Sequence, residues 1–133
     1  MTDPQQLDRH YLALGGEAGV RRLVDRFYDL MDTLPEAAGI RALHPPSLDE
    51  SRDKLTWFLV GWLGGPDVYV RRFGHPRLRA RHLRVAIGDA ERDAWMLCMR
   101  RAMEELVPDR LLVETLCGQL SRVADHMRNQ GTP

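Results

Sequence analysis

Five histidines, together with Tyr28 and Trp95 on apolar stripes, are the side chains of this 133-residue chain best suited to do chemistry. An imidazole changes charge near neutrality and serves as proton shuttle or metal ligand. A phenol both donates and accepts a hydrogen bond, whereas an indole N–H only donates. Each residue also has a plainer reading. His10 and His126 lie near the ends in polar surroundings, as surface residues do. His75 precedes Pro76, which biases it to an extended turn. His44 precedes Pro45-Pro46 between two helical patterns, where a solvated turn residue is the simple reading, and His82 closes the run Arg77-Leu78-Arg79-Ala80-Arg81. Tyr28 and Trp95 are either core residues with bonded polar tips or donors aimed into a cavity at a ligand that gains negative charge.

A zinc site requires three or four protein ligands, and no cluster at such spacing is present. One histidine suffices when a porphyrin fills the other four equatorial positions of an iron. The protein then provides an apolar slot, cations for two propionates and polar groups on the opposite face. Spacing alone leaves open whether His82 is such a ligand. Cys98 and Cys117, inside helical patterns, fit buried inert thiols better than a disulfide framework. No glycine-rich phosphate loop, nucleophile elbow or pair of zinc histidines occurs.

The composition is that of one globular domain, 44% apolar and 29% charged, with nineteen cations balancing nineteen anions. That balance disfavours nucleic acid and anionic membrane as partners. The longest apolar stretch, Trp57 to Leu63, is far short of the ~20 residues that cross a bilayer. The N-terminus has no basic start followed by an apolar run, so a cytoplasmic location is expected.

Apolar residues recur at three- and four-residue spacing in four segments, the pattern of helices with one buried face. The first, 18–34, carries Val20, Leu23, Val24, Phe27, Leu30, Met31 and Leu34, with Tyr28 at the stripe's edge. The second opens on Ser47-Leu48-Asp49-Glu50, read as a capping box. It places Leu48, Leu55, Phe58, Leu59 and Trp62 on one face with Ser51, and Gly64-Gly65-Pro66 stops it. A third starts at Asp89 after Gly88 and aligns Trp95, Cys98, Met99, Ala102 and Leu106 until Pro108. Asp109 caps the fourth, with Leu112, Leu116, Leu120, Val123 and Met127. A short segment around Leu7 to Leu14 leads the chain. The expected class is all-α.

Residues 64–88 break the pattern, with two short helical possibilities at Asp67–Phe73 and Arg77–His82. Six arginines (71, 72, 77, 79, 81 and 84) fall there between Asp67 and Asp89 without an acidic residue. Few large apolar side chains are available for self-packing, so the segment calls for something anionic to fold onto. A nucleic-acid patch is disfavoured because stacking aromatics, Phe73 excepted, are missing.

Phe27-Tyr28, Trp62-Leu63-Gly64-Gly65-Pro66, Gly74-His75-Pro76-Arg77-Leu78-Arg79-Ala80-Arg81-His82 and Glu91-Arg92-Asp93-Ala94-Trp95 followed by Cys98-Met99 together resemble the group II truncated haemoglobins. The resemblance runs from about Leu14 to Met127. It implies a single shortened globin domain, with two pairs of antiparallel helices in a two-over-two sandwich around haem b. Matched motif to motif, it implies His82 as proximal ligand through Nε2, and Arg81 and Arg79 as partners of the propionates. Tyr28 and Trp95 match the distal hydrogen-bonding residues, and His44 a distal position where the family carries Phe, Tyr or His. Ser51 and Leu55 match two positions facing the distal cavity, and Phe58 an aromatic wall. The chain departs from the family at Leu83-Arg84-Val85-Ala86-Ile87, where many relatives carry a Pro- and Phe-rich segment.

The implied ligands are dioxygen, carbon monoxide, nitric oxide and peroxide, with a reductant the sequence does not identify. Two charge-assisted hydrogen bonds, each contributing roughly 1.5–3 kcal/mol, would slow oxygen escape about a hundredfold or more. Slow release suits redox work, as peroxide reduction or nitric oxide detoxification, better than transport. The alternative is an oxygen storage or sensing globin without significant turnover. A homodimer is compatible with the resemblance.

Overall fold

The computed structural model describes residues 4–74 and 87–127. They form helices joined by turns, with no strand among them. None of these helices is long and apolar enough to cross a membrane. The chain divides into two compact units, one of Met1–Asp25 and Ser47–Pro76, the other of Arg26–Pro46 and Arg77–Pro133.

The first unit begins with α1 (Pro4–Ala13) and the start of α2 (Gly16–Thr33). Gly15 and Gly16 join them at φ 95° and 69°, left-handed values that cost glycine least. Gly19 packs its Cα against the Leu14 carbonyl so closely that a Cβ there would lie 1.6 Å from that oxygen. The Tyr11 N–H donates to the Leu63 carbonyl at 3.2 Å, fixing α1 to the end of α4 (Asp49–Trp62).

Helix α4 starts one residue later than a Ser47 cap requires. Leu48 is its N-cap, and Ser47 Oγ accepts from the Asp49 N–H at 3.3 Å. Glu50 therefore pairs with Lys54 one turn on, at 2.7 Å, and the expected reciprocal capping box is not formed. Its buried face is Thr56, Leu59 and Val60, whereas Leu55, Phe58, Trp62 and Ser51 are only half-buried. Helix α5 (Val68–Phe73) follows, close to the first of the two expected short helices, and places Tyr69 edge-on to Phe58 at 6.3 Å. Arg72 lies over the Trp57 ring, 4.6 Å from its centroid. The second expected short helix, Arg77–His82, lies outside the described residues.

In the second unit the rest of α2 buries Phe27, Tyr28, Leu30 and Met31. A 3-10 turn (Pro35–Ala37) and α3 (Ala38–Arg41) pack on α6 (Asp89–Leu106), which packs on α7 (Arg110–His126). The helix starts follow local chemistry. Glu91 Oε1 accepts from the Gly88 N–H at 3.2 Å, and Asp109 Oδ1 accepts from the Leu112 N–H at 3.1 Å.

The stripe of α6 holds through Cys98, Met99 and Ala102. Trp95 is half-buried. Leu106, expected on that stripe, is 43% exposed, because it is the last helical residue beside the turn at Pro108; Met103 is buried instead. On α7, Leu116 and Leu120 are buried as expected and are joined by Val113 and Cys117, while Leu112, Val123 and Met127 are half-buried. Arg26 pairs with Glu105, and Arg92 with Asp125 at 2.7 Å, linking residues far apart in the chain.

Candidate functional site

In the second unit two chemistry-bearing residues meet one apolar ring, and a third meets one of the two. Phe27, fully buried on α2, meets Tyr28 edge to face at 4.9 Å and 77°. On its other flank it meets Trp95 of α6 at 5.1 Å and 60°. Adjacent residues on a helix point about 100° apart, so a Phe-Tyr pair spreads two rings over neighbouring faces. One faces the core and one its edge. The phenol and the indole are thus set from the same support, each in the edge-to-face geometry that aromatic quadrupoles favour. No described residue offers an acceptor to the Trp95 indole N–H.

His44 completes the group. Its ring lies 5.9 Å from that of Tyr28, at 76°. Its Nδ1 is 2.8 Å from the Ile40 carbonyl. A carbonyl only accepts, so Nδ1 carries the hydrogen and Nε2 of the neutral ring holds a lone pair. His44 is half-buried and bonded, not the solvated turn residue of the simple reading. Next to it, the Arg41 guanidinium bonds Asp32 and the carbonyls of Pro45 and Pro46.

In the first unit Ser51, Leu55 and Phe58 occupy one face of α4, at intervals of four and three residues, and all are half-buried. Thr56 turns inward instead and satisfies its hydroxyl by donating to the Arg52 carbonyl at 2.8 Å. Leu55, Phe58 and Trp62 therefore present apolar surface that the unit's own core does not use. A hollow of about 420 Å³ lined by Tyr11, Leu12, Gly64, Gly65 and Pro66 contains none of the candidate ligand-binding side chains. It plays no part in this site.

His82, Arg81 and Arg79 lie outside the described residues. Among the described residues no three His, Cys, Asp or Glu side chains cluster as a metal site. A porphyrin, which brings its own four nitrogens, demands only distal donors and an apolar face from them. The donor set of the second unit fits the first of these demands, with an indole N–H that no described residue accepts. Cys98 and Cys117 offer no nucleophile. Both are buried, and burial pushes both thiols above their ordinary range, Cys98 and Cys117 alike.

Sequence reading singles out Tyr28, Trp95 and His44 as candidates but misses two side chains that contact them or their loop. Phe27 was visible as a stripe residue, yet periodicity does not reveal that one ring holds both donors. Arg41 gave no signal beyond its place shortly before a Pro-Pro pair.

Residues 9–129 match the bacterial-like globin family. The chain is 38% identical over 126 residues to the group 2 truncated hemoglobin YjbI of Bacillus subtilis strain 168, covering 95% of this chain and 92% of that protein. The fold superposes on the group II 2-on-2 hemoglobin of the plant pathogen Agrobacterium tumefaciens with a TM-score of 0.88 and 54% identity, over 91% of this chain and 94% of that one. For the cold-adapted truncated hemoglobin of the Antarctic marine bacterium Pseudoalteromonas haloplanktis TAC125 the TM-score is 0.89 at 44% identity, over 91% and 98% of the two chains. The expected all-α, truncated two-over-two globin fold is therefore the observed one.

Proposed function

Because the chain belongs to the bacterial-like globin family, whose members bind haem and through it dioxygen and other diatomic ligands, we propose that it is a haem b protein that releases oxygen slowly and uses it in redox chemistry. In this reading the whole chain, with a core of about 14–127, works as one cytoplasmic globin domain. His82 holds the iron through Nε2, and Arg81 and Arg79 pair with the propionates. When bound, haem supplies an iron that takes a diatomic ligand and exchanges electrons with it.

The remaining work belongs to the side chains. Tyr28 and Trp95 donate hydrogen bonds to a ligand that gains negative charge, and such bonds are stronger than neutral ones. By the family motif, Ser51 and Leu55 take the two positions that face the distal cavity and Phe58 that of an aromatic wall. The substrates are peroxide, or nitric oxide consumed with dioxygen, and electrons come from a cellular reductant. Carbon monoxide binds as a probe of the same site, and association of two copies into a homodimer is compatible with it.

The observation that carries this reading is the shared seat of Tyr28 and Trp95 on Phe27, which brings two donors to one ring. Absorption spectra of the oxidised, reduced and carbon monoxide forms test haem binding, and a preparation without a Soret band after addition of haemin overturns it. Turnover of peroxide or nitric oxide with a reductant then separates redox work from oxygen storage or sensing, in which ligand binds reversibly with little consumption.

A further inference from the structure

We propose that Arg41 is a positioning residue that locks His44 in one tautomer, so that His44 acts beside Tyr28 as an acceptor and not as a third donor. The proposal rests on the reading of Tyr28 as a distal donor. It names the residue that controls how that donor is held.

The argument starts from a local deficit. His44 is followed by Pro45 and Pro46, neither of which has a backbone N–H, so this segment has only carbonyls by which to be anchored. Arg41 uses both. Its NH1 donates to the Pro45 carbonyl at 2.9 Å and its NH2 to the Pro46 carbonyl at 2.7 Å. Its Nε donates to Asp32 Oδ1 at 2.8 Å, which ties the fork to the end of α2. All three nitrogens are engaged, and the Arg41 side chain is only 23% exposed. A lysine ammonium lacks this planar fork.

The other side of His44 is fixed as well. Its N–H donates to the Arg41 carbonyl at 3.1 Å, and its Nδ1–H donates to the Ile40 carbonyl at 2.8 Å. With the backbone held on both flanks, the imidazole cannot turn over without breaking the Ile40 bond. The neutral ring thus keeps Nε2 unprotonated, and the centroid of that ring lies 5.9 Å from that of Tyr28. An unprotonated nitrogen accepts and does not donate.

The test uses the ferrous carbon monoxide form with 15N-labelled histidine. Long-range proton–nitrogen spectra report the His44 tautomer, and rapid mixing reports oxygen dissociation. The wild type should show hydrogen on Nδ1 alone. In Arg41→Ala and Arg41→Lys the His44 nitrogens should move toward a tautomer mixture, and oxygen dissociation should change by about three- to tenfold, the span of one neutral hydrogen bond. In a His44→Phe background, Arg41→Ala should change that rate by less than about twofold, since its effect passes through the imidazole. Should Arg41→Ala not fold, Asp32→Ala, which removes only the anchor of the fork, is read by the same measurements. Wild-type nitrogen shifts in the variants, or an equal rate effect with and without His44, overturn the proposal. A shifted tautomer together with an unchanged rate in Tyr28→Phe supports the positioning role and removes Tyr28 from the donor set.

Discussion

Trp95 stands against Phe27 at 5.1 Å and 60°, so a donor on α6 takes its orientation from a ring on α2, 68 positions earlier in the chain. Truncating the donor and truncating its support should therefore have different signatures. Trp95→Phe keeps an aromatic ring but removes the N–H, and we expect oxygen dissociation to rise about ten- to hundredfold by stopped-flow measurement, the range of one charge-assisted bond. Phe27→Ala should raise the same rate and also cost about 3–5 kcal/mol of stability, as deletion of a buried ring does.

His82→Ala should lose the axial ligand, and its Soret band should weaken or shift. Added imidazole should restore the band, because it replaces the missing group without requiring the rest of the chain to change. An unaltered spectrum in the variant would move the ligand assignment elsewhere.

Glu105 carries a pH prediction. Its hydrogen bond from Arg26 holds the carboxyl below the ordinary value of 4.5. A carboxyl lowered in the folded state adds stability above its unfolded value, and that stability disappears as pH falls through the folded one. Thermal melts between about pH 6 and 3 should show the native protein losing this contribution below the ordinary value of 4.5, with Glu105→Gln less pH-dependent in the same window. The pair is exposed, so the difference should be small and should shrink further in high salt.

Cys98 and Cys117 should resist alkylation in the folded protein. Burial pushes both thiols up, and only the thiolate reacts. Mass spectrometry after iodoacetamide treatment should find neither modified before unfolding and both modified after it.

Gly19→Ala should destabilise the protein by about 1–3 kcal/mol or more, since the added methyl meets the Leu14 carbonyl and backbone has to move. Gly118 offers the control. A Cβ there meets nothing within 4 Å, so Gly118→Ala should be neutral or stabilising by thermal melt.

The starts of α6 and α7 were legible because Gly88 with Glu91, and Asp109 with Leu112, settle them within a few residues. The buried face of α2 was legible for the same reason, as one stripe from Val20 to Met31. Helix α4 was legible only in part. Of the expected stripe Leu48 and Leu59 are buried, but Leu55, Phe58 and Trp62 are half-buried, and Thr56 and Val60 complete the core. A threonine can lie inward because its hydroxyl is satisfied by the helix itself, and hydrophobicity alone does not record that. Of the candidate site, Tyr28, Trp95 and His44 stand out by their types and the family motif, and the structure brings their rings together. The bond that selects the His44 tautomer, and the arginine that anchors its loop, depend on contacts formed only after folding.

The interleaving of the two units also orders events on the ribosome. The first is complete once residue 76 has been made, whereas the second pairs residues 26–46 with a stretch that begins at 77. Arg26 must wait 79 residues for Glu105. Phe27 is likewise made 68 positions before Trp95, the ring it supports in the finished fold.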